Sequence, residues 1–86
     1  MGVQVACQFS FCPIGSTEHN REVGRVVEMI ESSGLYCEVG SMSTIIRGEA
    51  GEVFALLERI SIVQAQAGKR YIMNLAVSNS CGCAAD

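Results

Sequence analysis

Five cysteines and one histidine are the residues of this chain best equipped for covalent or metal chemistry. Cys7 and Cys12 lie in the stretch "ACQFSFCPIG", and their odd separation along an alternating segment sends the two side chains to opposite faces of a strand. At about 3.3 Å per residue their α-carbons stand roughly 16 Å apart, against a disulfide limit of about 7 Å. They are not a pair. Cys81 and Cys83 occupy alternate positions of the tail "NSCGCAAD" and can converge on one metal ion, yet two thiolates do not complete a tetrahedral zinc site and no second couple is spaced to close it. His19 stands between Glu18 and Asn20 and reads as a solvated helix-start residue. A Cys–His nucleophile would need Cys12 to approach it across the Pro13–Thr17 loop and a third group to orient it, and nothing in the sequence specifies one. With no phosphate-cradling glycine loop, paired-carboxylate signature or nucleophile elbow, the chain reads as a binder without a cofactor or metal, not an enzyme.

Recognition by hydrogen bonds has more to work with, and the elements of the chain decide where those groups stand. From Val3 to Phe11 the residues alternate, with Val3, Val5, Cys7, Phe9 and Phe11 on one parity and Gln4, Ala6, Gln8 and Ser10 on the other. Pro13 and Gly15 are expected to end this strand. Ser16, Thr17 and Glu18 make a helix start, Val23, Val26, Val27 and Ile30 recur at helical spacing, and Gly34 is a left-handed stop. Gly24 inside that helix suits close packing on the sheet, while Glu22, Arg25 and Glu28 read as exposed helix charges.

The segment "LYCEVGSMSTIIRG" carries two short strands around Gly40-Ser41, which suits a type II′ hairpin turn. That turn pairs Val39 with Met42, Glu38 with Ser43 and Cys37 with Thr44. Leu35, Cys37, Val39, Met42, Thr44 and Ile46 then face the core, and Tyr36, Glu38, Ser43, Ile45 and Arg47 face away. A second helix spans about 49–67, with Val53, Leu56, Leu57, Ile60 and Val63 on its stripe and Gly68 as its stop. The last strand, "RYIMNLAVS", sets Tyr71, Met73, Leu75 and Val77 against Ile72, Asn74 and Ala76. The order β-α-β-β-α-β predicts an α+β, ferredoxin-like sandwich: one antiparallel sheet, strands one and three central, two helices on one face. Residues 1–80 are expected to form a single domain and residues 81–86 a flexible cysteine-bearing tail.

The uncovered face then presents Gln8, Ser10, Glu38, Ser43 and Asn74, donors and acceptors together, as needed to read the edge of a small polar ring. Small polar residues on a half-exposed sheet also occur for purely structural reasons. A net charge of -3 with only six scattered Lys and Arg argues against duplex nucleic acid. No apolar run approaches a membrane span and no signal peptide is visible, so the expected location is cytoplasmic. The odd cysteine count agrees with a reducing compartment. Hydrophobic residues make up 49% of a chain with little interior to hide them, which points to self-association into a homodimer or homotetramer through sheet faces.

Three stretches, "QFSFCPIG", "GLYCEVGSMSTIIRGEAGEVFALLERI" and "AGKRYIMNLAVS", resemble the YkoF-like thiamine-binding family. The motif residues are Phe9, Ser10 and Pro13 at a strand end, then Gly40, Thr44 and Gly48 in the hairpin, and the resemblance runs to about Ser78. It implies a ferredoxin-like fold, oligomerisation through sheets, and binding of thiamine or its hydroxymethylpyrimidine moiety without catalysis. It singles out Ser10 and Thr44 as ligand-proximal, with Gln8 and Ser43 flanking them, and sets Cys12 where the family often has an aromatic residue. The hairpin register places Thr44 on the core side, so either the ligand sits at the sheet's edge near the helices or a bulge shifts the register. The competing functions are an assembly module with no small ligand and metal handling through Cys81 and Cys83.

Overall fold

The computed structural model describes residues 3–40 and 43–79. Its elements follow the expected order: β1 (Gln4–Ile14), α1 (His19–Ser32), β2 (Tyr36–Val39), β3 (Thr44–Glu49), α2 (Ala50–Gln66) and β4 (Arg70–Ser78). The strands form one antiparallel sheet in the order β2-β3-β1-β4, so β1 and β3 are central. Cys7 and Phe9 from β1 and Ile46 from β3 pack with Val26 and Ile30 of α1 and Val53, Leu56, Leu57 and Ile60 of α2 in one cluster, which places both helices on the same face. Each such large aliphatic side chain contributes about 1.5–3 kcal/mol through burial. This is the ferredoxin-like α+β fold.

Both helices stop at glycines in the left-handed region, Gly34 at φ 84° and Gly68 at φ 71°, where residues with a Cβ are strained. Between β1 and β4 a row of rings ties the sheet to α2. Phe9 stacks near Phe11 and Phe11 near Tyr71, with centroids 6.5 and 5.7 Å apart, and the Tyr71 hydroxyl donates to Ser61 Oγ at 2.7 Å.

Several expectations need correction. β1 does not end before Pro13 but runs to Ile14, with Pro13 buried opposite Tyr71 of β4. The β3 register stops at Phe9↔Thr44, so Pro13 lies where β1 has a single neighbouring strand, the edge-like situation in which proline is tolerated. The hairpin is not the two-residue turn. Val39 pairs with Thr44, Glu38 with Ile45 and Cys37 with Ile46, a slip of two residues that leaves every side chain on its expected face. Gly40 N–H donates to the Ser43 carbonyl at 2.8 Å, and a Cβ on Gly40 would stand 2.9 Å from that same oxygen. Ser41 and Met42 lie outside the described residues, as do Cys81 and Cys83 and the rest of the tail from residue 80.

On α2 the buried position is Gln64, while Val63 is 40% exposed. Four residues beyond Ile60 is about 40° round a helix and three residues is about 60° the other way, so the stripe through Val53, Leu57 and Ile60 falls on residue 64. On α1 the same geometry buries Glu22, four residues before Val26, and leaves Val23 and Val27 half-buried. Gly24 is not a close-packing residue either, since a Cβ there would meet nothing within 4 Å. Val39, Leu75 and Val77 keep core parity but are exposed, because they sit on the two edge strands.

Candidate ligand-binding site

The site is built where β1 outruns its neighbour. β1 pairs with β3 only as far as Phe9, but with β4 as far as Ile14. From Ser10 onward the β3 side of β1 therefore has no strand in register, and the hairpin end and the start of α1 gather around it.

On the open face, alternation brings Gln8 and Ser10 outward from β1, and the register sets Asn74 opposite Ser10 and Ala76 opposite Gln8. Gln8 Nε2 donates to Ser43 Oγ at 3.4 Å. Gln8, Ser10, Ser43 and Asn74 line a shallow groove of about 430 Å³ with Leu75 and Ala76. All four polar side chains are uncharged amides or hydroxyls, able to donate and accept. Glu38 is exposed on the same face opposite Ile45, and it does not line this groove. On its row towards the edge, the Arg47 guanidinium lies 5.2 Å from the centre of the Tyr36 ring, a cation–π distance.

On the helix side of the same strand end lies a cleft of about 340 Å³. Thr44, only 6% exposed, faces it. The walls include Phe9, Phe11, Val23, Val27 and Val39, and His19 and Asn20 from the first turn of α1 stand at its polar rim. No bulge shifts Thr44: the register is continuous, the parity is unchanged and the residue lies between sheet and helix. Ser10 and Ser43 line both the groove and the cleft.

Thus Gln8, Ser10, Ser43 and Asn74 come together on one face, Thr44 joins them from the other, and Glu38 stays apart. Sequence reasoning missed Asn20 and His19 as neighbours of Thr44, because nothing in their spacing reports the gap beside β1. It also missed Glu22, although positions 22, 26 and 30 recur at helical spacing. The Ser16 hydroxyl donates to the Glu22 carboxylate at 2.5 Å and accepts from the Glu18 N–H at 3.0 Å, and Lys69 Nζ stands 3.3 Å from the same carboxylate. Glu22 thereby ties the loop after β1 to the approach to β4. The Ser16 hydrogen bond, aided by Lys69, lowers the Glu22 pKa below its ordinary value.

The cysteines play no part in this geometry as a pair: Cys7 is fully buried, Cys12 exposed and Cys37 half-buried, and all three are free thiols. Burial pushes the Cys7 thiol pKa up. Among the described residues no cluster of three or more His, Cys, Asp or Glu could hold a metal ion, and no helix is long and apolar enough to cross a membrane.

The chain is thus a small ferredoxin-like α+β sandwich with a groove and a cleft at one sheet end. This chain belongs to the thiamine-binding protein family, whose model, described as "Thiamine-binding protein", matches residues 7–82. No curated protein matches it in sequence. Among solved structures, a Thermotoga maritima protein provisionally assigned to thiamine biosynthesis or salvage superposes with a TM-score of 0.80 at 24% identity, covering 92% of this chain and 86% of that one. A Bacillus cereus domain of unknown function gives 0.79 at 26% identity, over 91% and 77%. A hypothetical protein from Methanocaldococcus jannaschii gives 0.77 at 20%, over 93% and 84%.

Proposed function

We propose that this protein is a cytosolic, non-catalytic binder of thiamine or its hydroxymethylpyrimidine moiety, with Gln8, Ser10, Ser43, Thr44 and Asn74 as the contacting residues. One observation carries the reading: in a chain of the thiamine-binding family, side chains from β1, β4 and the entry to β3 gather around Ser10 in a groove of about 430 Å³, a size suited to a small molecule. Neutral amides and hydroxyls favour binding over acid–base chemistry, since none of them ionises near neutral pH. The Thermotoga maritima relative, provisionally linked to thiamine biosynthesis or salvage, agrees in substrate class.

Isothermal titration of the purified protein with thiamine and with hydroxymethylpyrimidine tests the proposal. Removing the hydroxyl in Ser10→Ala or Ser43→Ala is expected to weaken binding by about two- to tenfold each, the worth of one hydrogen bond. Absence of heat with both compounds at micromolar protein, together with an unshifted melting temperature, sinks it.

A second reading has its own support. Tyr36 and Ile72 are each 51% exposed on the open face, and a second copy laid over that face would cover them as well as the groove. The protein then works as a homodimer or homotetramer. If light scattering finds a monomer across a wide concentration range, self-association is removed while ligand binding stands.

A further inference from the structure

A further groove, of about 480 Å³, opens on the outer layer of the molecule between α1 and the C-terminal end of α2. It shares no lining residue with the groove and cleft at the end of β1. Met29 of α1 and Val63 and Ala67 at the end of α2 give it an apolar floor. Two polar residues stand where the buried stripes of the helices reach that floor: Glu22, 8% exposed, and Gln64, 7% exposed. The Ser16 hydroxyl and Lys69 Nζ both meet the same carboxylate oxygen of Glu22, Oε2, so Oε1 has no partner among the described residues. The Gln64 side chain has none there either, while its backbone carbonyl accepts from the Lys69 N–H at 3.0 Å. Lys69 therefore ties the two residues into one cluster, through its main chain to Gln64 and through its side chain to Glu22. Neither unpartnered group is sealed in the core, and both residues line the groove.

We propose that this inter-helix groove is a second ligand site, which takes a free amino acid with an apolar side chain. The ammonium group of the ligand donates to Glu22 Oε1 and to the Gln64 amide oxygen, its carboxylate meets Lys69 and Arg25, and its side chain lies on Met29, Val63 and Ala67. The assignment is independent of the thiamine reading.

The charges on the walls select such a molecule. Glu22 and Glu28 balance Arg25 and Lys69, so a simple anion meets as many repelling groups as attracting ones, and so does a simple cation. A zwitterion satisfies both signs at once. Glu22 stays ionised near neutral pH, because the Ser16 hydrogen bond and the charge of Lys69 hold its pKa below the ordinary value. An ammonium group, which donates and never accepts, suits a carboxylate oxygen beside an amide carbonyl. Arg25 is exposed at the rim and Lys69 half-buried, and both retain donors for a carboxylate after the single contact of Lys69 Nζ with Glu22.

Thermal-shift and calorimetric titrations of the full chain with L-alanine, L-valine, L-leucine and L-methionine at millimolar concentration test the site. L-leucine and L-methionine are expected to raise the melting temperature, as any ligand of the folded state does. N-acetyl-leucine, which lacks the ammonium, and leucinamide, which lacks the carboxylate, should bind about tenfold more weakly than leucine, the worth of a hydrogen bond to a charged group. Gln64→Leu and Glu22→Gln should each weaken leucine by a similar factor. The blocked ligands are titrated into the wild-type protein, so they decide the matter even if a variant does not fold. The proposal is overturned if none of the four amino acids shifts the melting temperature, if either blocked form binds as tightly as leucine, or if either variant, once folded, binds leucine like the wild type.

Discussion

The two faces of β3 differ more than their sequence does. Ile45 and Ile46 are adjacent and identical in type, yet Ile46 is fully buried beneath the helices while Ile45 is half-buried on the open face, opposite Gln8 and Glu38. The helix-covered side is a continuous apolar cluster that holds the fold together. Across the sheet, the open side at Gln8, Ser10 and Asn74 has little stability to lose and is free to carry function. The cleft at Thr44 is the exception, where covered-side packing stops short at the end of β3 and polar groups reach in. The packing that holds the fold together is thus confined to one side of the sheet, and under the proposed function it meets ligand recognition only at one end of β1.

The sharpest way to break this contrast is to truncate the two isoleucines separately. Ile46→Ala should cost about 2–5 kcal/mol, as full core truncations do, read as a lower urea midpoint at unchanged slope. Ile45→Ala should cost about 1 kcal/mol, because less of its side chain leaves water on folding. Equal costs that depend on protein concentration would mean that a second copy covers the open face.

Acid sharpens the contrast next, through Glu22 on the covered side. Its folded pKa lies below the ordinary value of 4.5, so the stability it contributes is present above that value and is lost as pH falls through the folded pKa. Wild type should therefore be the more stable protein at pH 6, and the gap to Glu22→Gln should close as pH drops below 4.5. Melting temperatures across that range check it, and a constant gap contradicts the Ser16–Glu22–Lys69 link.

Thiol labelling separates the faces directly. Cys12, exposed on the open side, should react rapidly with a disulfide reagent in the native protein, while Cys7, buried and with its pKa raised, should react only on unfolding. Peptide mapping of the labelled protein distinguishes the two. The smallest effect is expected at Gly24: with nothing within 4 Å of a Cβ there, Gly24→Ala should stabilise the protein by about 0.5–1 kcal/mol. A destabilised variant would mean that the exposed side of α1 is covered in solution.

Most of the fold was legible because it rests on local periodicity. Alternation at Val5, Cys7 and Phe9, helical spacing at Val26 and Ile30, and glycine stops at Gly34 and Gly68 each report an element from neighbouring residues alone, and the β-α-β-β-α-β order leaves few topologies. Face assignments survived even the hairpin error, because a slip of two residues preserves parity. Two of the errors lie where tertiary partners decide. Pro13 stays in β1 because β3 has already ended beside it, and Glu22 is buried because Lys69 and Ser16 meet its carboxylate.

The site divides along the same line. Its outward side chains, Gln8, Ser10, Ser43 and Asn74, were determined by the sequence, since alternation along a strand is a property of the chain itself. That they surround one groove, that Thr44 looks the other way into a cleft rimmed by Asn20 and His19, and that Glu38 stands apart were decided only by the tertiary structure. The physical reason is the unequal length of the strands: β1 is paired to Ile14 on one side and to Phe9 on the other, and that mismatch is set by contacts between residues far apart in the chain.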